Sequence, residues 1–490
     1  MSKLKELFSD TLIYGISSVF ARFINYLLVP FYTGVFAPET YGVVGLVYAA
    51  IAFLNVIFTM GMESSYLRYA KDRDKARGFF RTLQIFLVGV SLIIGLLVWA
   101  LQPVFSPFLG LVSGDSIYLM MLGILIFDTL AIIPFAELRL SQKAPLFAVL
   151  KTGNVIINLG LNFYLILVLD YGIEAVFISN LIASAVTAIV IWIVTIKMWK
   201  ASFNKELLTK ALSFGLPFIP AGIGHVINEM LDRFFLKGMS QDSIIEIYGM
   251  DYSPEHIVGV YNACYKLSVF MLLLVQMYRM AWQPFFMRQS DDQKAPELFA
   301  QAFKYFNVFA AVLFLGVSLF VNEIVAIKVP ILDTLLIGQE YWMGLSIVPF
   351  LLIAYWFQGW YVNFSAGIFI AENTKQLAKI TLIGAGTTVV VNLVLIPKFG
   401  MMGSAIATLT SYALMALLIY WYSTKSFKVP YNLWQGFSVI GLAAIALYIK
   451  PFLTERFFSD LSVSILLFIT TSIAISVVSF GNRLLPQKSS

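Results

Sequence analysis

Residues 162–184 read NFYLILVLDYGIEAVFISNLIAS, and residues 392–412 read NLVLIPKFGMMGSAIATLTSY. Both stretches begin with an asparagine, continue through an apolar run to an aromatic residue followed by glycine, and then contain small and apolar residues. A second pair, LIYGIS at 12–17 and LSFGLP at 212–217, occurs in the same order along the chain. The pairs predict two related halves of six membrane spans each. The alternative explanation is chance similarity between apolar helices.

The composition of the 490-residue chain indicates a membrane protein. Hydrophobic residues make up 60% of it and charged residues 12%, whereas a soluble domain carries about 25% charged residues. No gap between the apolar runs could hold a soluble domain. We predict an all-α, polytopic membrane protein with about fourteen spans of roughly 20 residues each. The predicted spans are 10–31, 43–66, 82–105, 117–138, 147–169, 174–197, 211–236, 258–286, 303–326, 342–370, 377–397, 402–424, 432–449 and 461–480.

The basic residues are concentrated in alternate loops. If the N-terminus is cytoplasmic, about 23 of the 33 lysines and arginines fall in cytoplasmic segments and about 5 in outer loops. This bias predicts that both termini are cytoplasmic. It also accounts for the net charge of +6 without any role in binding nucleic acid.

Several functional classes are disfavoured by what the sequence lacks. One cysteine and two histidines argue against an internal disulfide and against metal sites built from these residues. No GxxxxGK(S/T) phosphate loop and no GxSxG nucleophile motif occurs. We therefore expect a transporter rather than an enzyme, with no metal and no cofactor.

One predicted span contains an unusual group of ionisable residues, HVINEMLDRFFL at 225–236. A charge at the bilayer centre costs at least about 2.5–3.5 kcal/mol, so such residues usually face a cavity or a partner. His225, Glu229 and Asp232 share one face of a helix and predict the polar lining of a hydrated path. The alternative is a structural network in which Arg233 pairs with a neighbouring carboxylate.

Cations in the first, seventh and eighth spans predict an electropositive chamber. Arg22 has no acidic neighbour within its own span, so its partner must come from another helix or from a ligand. Arginine suits phosphate because its guanidinium forms bidentate hydrogen bonds. The predicted headgroup-binding residues are Arg22, Asn25, Arg233, Asn262, Lys266 and Arg279.

Two acidic residues stand apart from this chamber, Asp128 near the middle of the fourth span and Glu63 near the inner end of the second. A buried carboxylate can exchange protons, which makes both residues candidates for ion coupling. A hydrogen-bonded structural role is the alternative for Asp128.

The order and spacing of several segments make the chain resemble a known family of transporters. The segments are VPFYTGVFAPETYGVVGL at 29–46, FAELRLSQKAPLFAVLKTGNVIINLGLNFYLILVLDYG at 135–172, SFGLPFIPAGI at 213–223, DRFF at 232–235, VGVYNACYKLSVFM at 258–271 and AWQPFF at 281–286. The chain resembles Wzx-like O-antigen or polysaccharide flippases of the multidrug/oligosaccharidyl-lipid/polysaccharide exporter superfamily. The acidic outer segment at 238–257 departs from the family pattern.

The resemblance implies a MATE-like, V-shaped fold with lobes at 1–205 and 206–428, followed by two helices and a tail at 429–490. It implies a protein of the bacterial inner membrane that moves polyprenyl-diphosphate-linked oligosaccharide from the inner to the outer leaflet by alternating access. That activity would serve cell-surface polysaccharide biosynthesis, including lipopolysaccharide. Expected partners are this cargo, membrane lipids and other polysaccharide-assembly membrane proteins. A proton gradient, a sodium gradient and downstream consumption of the product are the candidate energy sources, and the sequence does not choose among them.

Three other functions are weighed against this one. A MATE-type drug/cation antiporter is expected to have a net acidic chamber. In this sequence the cations in the first, seventh and eighth spans outnumber the acidic residues there. A lipid II flippase handles the same lipid carrier and is the nearest alternative. A membrane polysaccharide polymerase would usually need a sizeable outer loop with catalytic side chains, and the outer loops here are short.

Overall fold

The computed structural model describes residues 28–290, 292–330, 332–373, 375–456 and 459–484. These residues form helices and their connections, apart from one antiparallel pair of two-residue strands. Contacts between Cα atoms divide the chain into two compact units. The described part of the first unit is Leu28 with Phe36–Gly259, and that of the second is Val29–Val35 with the chain from Val260 onward. The lobe boundaries expected from the resemblance, 1–205, 206–428 and 429–490, stay a prediction.

The first unit is built from helices that follow the predicted apolar runs. They are α2 (Pro38–Thr59), α3 (Met62–Tyr69), α4 (Arg73–Ala100), α5 (Gln102–Phe105), α6 (Ser116–Leu140), α7 (Ala144–Leu167), α8 (Glu174–Val194), α9 (Lys205–Gly215), α10 (Phe218–Lys237) and α11 (Gln241–Tyr248). Short 3-10 turns occupy Ser106–Leu109 and Ile196–Trp199.

The second unit contains α1 (Leu28–Val35) apart from its first residue, and the later helices. These are α12 (Pro254–Gln289), whose first turns lie in the first unit, α13 (Ala295–Leu319), α14 (Val321–Val325), α15 (Val348–Ile370), α16 (Lys375–Ser426), α17 (Leu433–Arg456) and α18 (Asp460–Leu484). The strands β1 (Lys328–Val329) and β2 (Thr334–Leu335) form a hairpin, and a 3-10 segment at Gln339–Ile347 leads into α15.

The helices bear out the predicted all-α membrane architecture. Within the described ranges, eleven helices are long and apolar enough to cross a membrane, and α9 with α10, bent by 41°, make a twelfth candidate. The 52-residue α16 bends at Gly400, whose φ of +53° and ψ of −128° suit glycine because it has no Cβ. Counting both arms of α16, every predicted span except the first has a matching helix; the first, 10–31, lies mostly outside the described residues.

The two stretches with the repeated sequence pattern occupy corresponding positions along their helices. In the first unit, the aromatic-glycine step lies in the turn between α7 and α8, where Asp170 has a φ of +53°. In the second unit, the same step is the bend at Gly400 within α16. Both glycines therefore follow an aromatic residue where one span ends and the next begins.

A buried carboxylate joins three helices of the first unit. Glu137 on α6 is 4% exposed and accepts a hydrogen bond from the Tyr66 hydroxyl at 2.6 Å. Arg73, at the start of α4, forms an ion pair with the same carboxylate at 2.6 Å. Because a buried charge is costly without a partner, this network holds α3, α4 and α6 in one arrangement.

Aromatic packing and one buried lysine organise the second unit. The carboxamide oxygen of Asn307 accepts hydrogen bonds from the indole N–H groups of Trp356 at 2.8 Å and Trp360 at 2.7 Å. The Lys450 ammonium donates to the carbonyl oxygen of Leu319, at the end of α13, at 2.6 Å. A lysine at this point satisfies a carbonyl that has no partner within its own helix. These contacts join α15 and α17 to α13.

A close approach between α2 and α12 in the first unit depends on two glycines. A Cβ atom at Gly259 of α12 would overlap the carbonyl oxygen of Pro38, and one at Gly42 of α2 would overlap that of Glu255. The backbones of the two helices therefore touch directly.

We expect Gly259→Ala to destabilise the protein by about 1–3 kcal/mol, because the added methyl group forces the two backbones apart. Heating purified protein with a thiol-reactive dye measures this, since the single cysteine, Cys264, is buried until unfolding. Gly160→Ala is the matched control, because nothing lies within 4 Å of a Cβ at that helical glycine. Equal melting temperatures of the two variants would contradict the direct backbone contact.

Candidate functional site

A polar cavity of about 400 Å³ lies among the helices of the first unit. It is an open cavity lined by side chains from α2, α3, α6, α7 and α8. Its apolar wall includes Phe135 and Phe147, whose ring centroids are 5.4 Å apart. The polar lining consists of Asn55, Glu63, Asp128, Arg139, Lys151, Asn154, Asn180, Ser184 and Thr187.

The spacing of these residues explains how three helices face one space. On α6 the lining residues include 128, 135 and 139, on α7 they are 147, 151 and 154, and on α8 they are 180, 184 and 187. Residues three, four or seven positions apart share a face of an α-helix. Each helix therefore presents a polar stripe to the cavity, while its other faces pack against neighbouring helices or remain exposed.

The charged residues of the cavity are matched in sign. Glu63 on α3 forms an ion pair with Arg139 on α6. Asp128 on α6 and Lys151 on α7 line the same cavity and carry opposite charges, so they attract each other electrostatically, while the Ser184 hydroxyl donates to the Asn180 carboxamide oxygen at 3.5 Å. Two carboxylates and two cations give the lining no net formal charge. Opposite charges on neighbouring helices reduce the cost of keeping ionised groups within a membrane-spanning unit.

Lys151 also makes a second contact within the cavity wall. Its ammonium lies 4.2 Å from the centroid of the Phe135 ring, within the range of a cation–π interaction. Its position near the start of a predicted span indicates a lysine that reaches out to the cytoplasmic surface. In the structure the residue is exposed and also lines the cavity, so the predicted anchoring at the surface stays a prediction.

Three carboxamides add neutral hydrogen-bonding groups. Asn154 donates to the Thr187 hydroxyl at 3.0 Å, which links α7 to α8. Asn180 donates to the hydroxyl of Tyr48 on α2, also at 3.0 Å. Within the described part of the chain, the Asn55 carboxamide makes no hydrogen bond, and only its backbone carbonyl accepts one, from Thr59. The cavity therefore retains hydrogen-bond donors and acceptors that a ligand can use.

Both residues predicted for ion coupling, Asp128 and Glu63, line this cavity. Their environments differ, because Glu63 is paired with Arg139 whereas Asp128 faces a hydroxyl and an ammonium on two other helices. A coupling role for either stays a prediction.

The residues at 225–236 form part of α10, as predicted. The exposure of their ionisable side chains decreases along the helix. His225 is exposed, Glu229 is half-buried, and Asp232 and Arg233 are buried. Arg233 donates to the Asp232 carboxylate and to the carbonyl oxygen of Glu229, both at 2.7 Å. The structural pairing left open by the sequence is therefore present, and the predicted lining of a transport path by these residues stays a prediction.

The other predicted headgroup residues are distributed along α12 or precede the described residues. In α12 of the second unit, Asn262 is buried, Lys266 is half-buried and Arg279 is exposed. Arg22 and Asn25 lie outside the described residues. An electropositive chamber built from this set stays a prediction.

Seven of the nine polar lining residues were not singled out as site residues by the sequence: Asn55, Arg139, Lys151, Asn154, Asn180, Ser184 and Thr187. For two of them, Lys151 and Asn154, the sequence of α7 contained a pattern that indicates a polar face. Lys151, Asn154, Asn158 and Asn162 recur at spacings of three and four residues and mark one polar face of an otherwise apolar helix. The asparagines of α2 and α8 each occur singly, so spacing alone did not reveal them.

Comparison with known proteins agrees with the helical fold. A family model described as "Polysaccharide biosynthesis protein" matches residues 7–290. Among solved structures, the lipid II flippase MurJ in an inward closed conformation is similar, with a TM-score of 0.72 and 17% identity over 97% of this chain and 100% of that one. No curated protein matches the sequence.

Two further solved structures have the same fold. An inward-facing multidrug resistance MATE transporter has a TM-score of 0.59 and 16% identity over 82% of this chain and 93% of that one. A transporter from Pyrococcus furiosus, described as having a binding pocket of reverse polarity, has a TM-score of 0.57 and 16% identity over 86% of this chain and 95% of that one. The predicted MATE-like fold class is confirmed.

We expect Asp128 and Lys151 to be coupled in stability. Lys151→Met removes the cation that offsets Asp128, and Asp128→Asn removes the carboxylate that offsets Lys151, so each single change should lower the melting temperature. The double variant should lose less stability than the sum of the losses of the two single variants. The interaction free energy between the two residues should be about 0.5–3 kcal/mol. The Cys264 dye assay measures all three variants, and Lys197→Met, at an exposed lysine, is the control. Additive losses would show that the two charges do not interact.

Proposed function

The chain belongs to the polysaccharide biosynthesis protein family, and we propose that it is a flippase for polyprenyl-diphosphate-linked oligosaccharide. In this proposal the cargo is a glycan repeat unit that passes from the inner to the outer leaflet of the bacterial cytoplasmic membrane. Both termini are cytoplasmic, as the distribution of lysine and arginine indicates. The protein moves the cargo and catalyses no change in its covalent bonds.

The observation that carries the proposal is a polar, charged cavity lined mainly by helices long and apolar enough to span the membrane. A sugar–diphosphate headgroup cannot cross hydrocarbon unaided, because each polar group would lose its hydrogen bonds to water. A protein that carries such a headgroup must replace these bonds within the bilayer. Donors, acceptors and paired charges at this depth supply such replacements, and they are costly to maintain without a function.

The diphosphate requires positive charge, which the balanced cavity of the first unit does not supply in excess. We propose that Arg22, Lys266 and Arg279 provide it, with Asn25 and Asn262 as additional hydrogen-bonding groups. Arg233 would contribute when its guanidinium exchanges the Asp232 carboxylate for phosphate. Bidentate contact with phosphate is the geometric reason to expect arginine in this role.

The alternatives differ in what they require of the cavity and loops. A drug/cation antiporter would be favoured by a net acidic cavity, whereas this one is balanced in charge. A polymerase would usually need a sizeable outer loop with catalytic side chains. The longest polar interruption, the acidic segment at 238–257, is short and contains the eight-residue helix α11. A lipid II flippase shares the diphosphate carrier and differs only in the glycan.

We expect Arg22→Ala and Lys266→Ala to reduce glycan export about 10- to 100-fold, because a lost charge-assisted hydrogen bond is worth about 1.5–3 kcal/mol. Surface glycan is measured by antibody or lectin staining, and membrane protein by immunoblot. Lys197→Ala and Lys398→Ala, at exposed lysines, are matched charge controls. Full export by both test variants at normal protein levels would remove the cationic chamber from the proposal. Rescue of a strain depleted of its lipid II flippase would favour that alternative.

We also propose that a proton or sodium gradient drives transport through Asp128 rather than Glu63, since Glu63 is already committed to Arg139. Asp128→Asn should abolish the acceleration that an imposed gradient produces in proteoliposomes carrying lipid-linked glycan, while slow equilibration between leaflets continues. Glu63→Gln is the comparison variant. An undiminished response of Asp128→Asn to both gradients would exclude this carboxylate from coupling.

A further inference from the structure

We propose that the polar cavity of the first unit is a subsite for a neutral sugar residue of the cargo, separate from the groups that hold its diphosphate. The inference rests on the proposed function and assigns one part of the cargo to one set of residues. The set consists of Asn55, Asn154 and Asn180, with Ser184, Thr187 and the Phe147 ring.

The size of the cavity suits a small organic ligand. Its volume of about 400 Å³ lies in the range of roughly 300–1,000 Å³ that is typical of small-molecule sites. A cavity needs only about 10–15 Å³ of such volume to hold one water molecule. The space is therefore larger than a proton path or a single hydrated group requires, and it can accommodate a pyranose ring.

The neutral lining groups match the chemistry of sugar hydroxyls. A hydroxyl both donates and accepts hydrogen bonds, and a carboxamide offers donors and acceptors from one side chain. Asn154 and Asn180 are each held by a hydroxyl neighbour at 3.0 Å, so their carboxamides are oriented before a ligand arrives. Asn55 uses neither end of its carboxamide within the described residues, which leaves both for a ligand.

The charges of the cavity favour a neutral ligand over an ionic one. Glu63 and Arg139 satisfy each other, and Asp128 is opposed by Lys151. A phosphate, a uronate or a cationic ligand would bring a net charge into a lining whose own charges already balance, whereas a neutral sugar would not. A neutral sugar can use the remaining lone pairs of Asp128 without breaking either interaction.

An aromatic ring completes the site. Phe147 is half-buried at the cavity and packs edge-on against Phe135, with an interplanar angle of 74°. One face of a pyranose carries mainly C–H groups and packs against an apolar ring, while its hydroxyls point towards the polar side chains. The lining therefore offers an apolar wall together with carboxamides, as an amphipathic sugar ring requires.

Saturation-transfer NMR on the full-length protein in lipid nanodiscs tests the assignment. The probes are glucose, galactose and N-acetylglucosamine, with glucuronate and inorganic diphosphate as charged comparators. We expect at least one neutral sugar to bind, and Asn55→Leu to weaken that binding about 10-fold or more, since a carboxamide proposed to bind the sugar is replaced by an apolar group. Asn373→Leu, at an exposed asparagine outside the cavity, is the control and should bind as the unmodified protein does.

Folding of each variant is checked by the Cys264 dye assay, and Asn55→Ser is a second, smaller change that should weaken binding to a lesser degree. Absence of neutral-sugar binding, or stronger binding of glucuronate or diphosphate at the same residues, would overturn the subsite. Sugar binding that Asn55→Leu leaves unchanged would overturn it as well.

Failure of the subsite can be distinguished from failure of the proposed function. If the protein flips lipid-linked glycan in proteoliposomes but its cavity binds no neutral sugar, the function stands and the subsite is wrong. If neutral sugars bind at Asn55 but no lipid-linked glycan is flipped, the subsite stands and the proposed cargo is wrong.

Discussion

The dominant constraint on this chain is that hydrocarbon provides no partner for a polar group. Backbone groups satisfy the constraint by forming helices, which accounts for the almost complete absence of strands in the described residues. Charged side chains satisfy it by forming ion pairs with one another or hydrogen bonds with polar groups. Glu137 is bound by Arg73, Arg233 by Asp232, and Lys450 by a helix-terminal carbonyl and Asp460. The same rule governs the cavity, where opposite charges face one another across helices.

Much of the fold could be predicted from the sequence, because the length and apolar content of each span depend only on residues that are adjacent in the chain. The bend at Gly400 was marked in advance by the repeated aromatic-glycine pattern, since a positive φ favours glycine wherever it occurs. The direct contact between Gly42 and the start of α12 could not be deduced in the same way. A glycine within a helix permits close approach, but the identity of the approaching helix depends on the packing of the whole unit.

The site was only partly predictable, for a related physical reason. Asp128 and Glu63 stand out because a carboxylate in an apolar run is costly, whatever surrounds it. Hydropathy reports the depth of Lys151 but not the direction in which its helix face points. The direction was encoded in the asparagines that follow on the same face of α7. The pairing of Glu63 with Arg139 joins two helices far apart in sequence, and one sequence alone carries no measure of that proximity.

The balance of charge in the cavity has a consequence for any carrier that must return without its cargo. If the cargo alone neutralised the site, the empty protein would hold uncompensated charges in a low-dielectric environment, and changing conformation would become costly. A lining that is balanced in charge lowers this cost, because the Glu63–Arg139 ion pair and the opposite charges of Asp128 and Lys151 are present when the cavity is empty. Neutral hydrogen-bonding groups then provide recognition, since an unpaired carboxamide costs less than an unpaired ion. A cavity with paired charges and available carboxamides is therefore suited to binding and releasing a neutral sugar repeatedly.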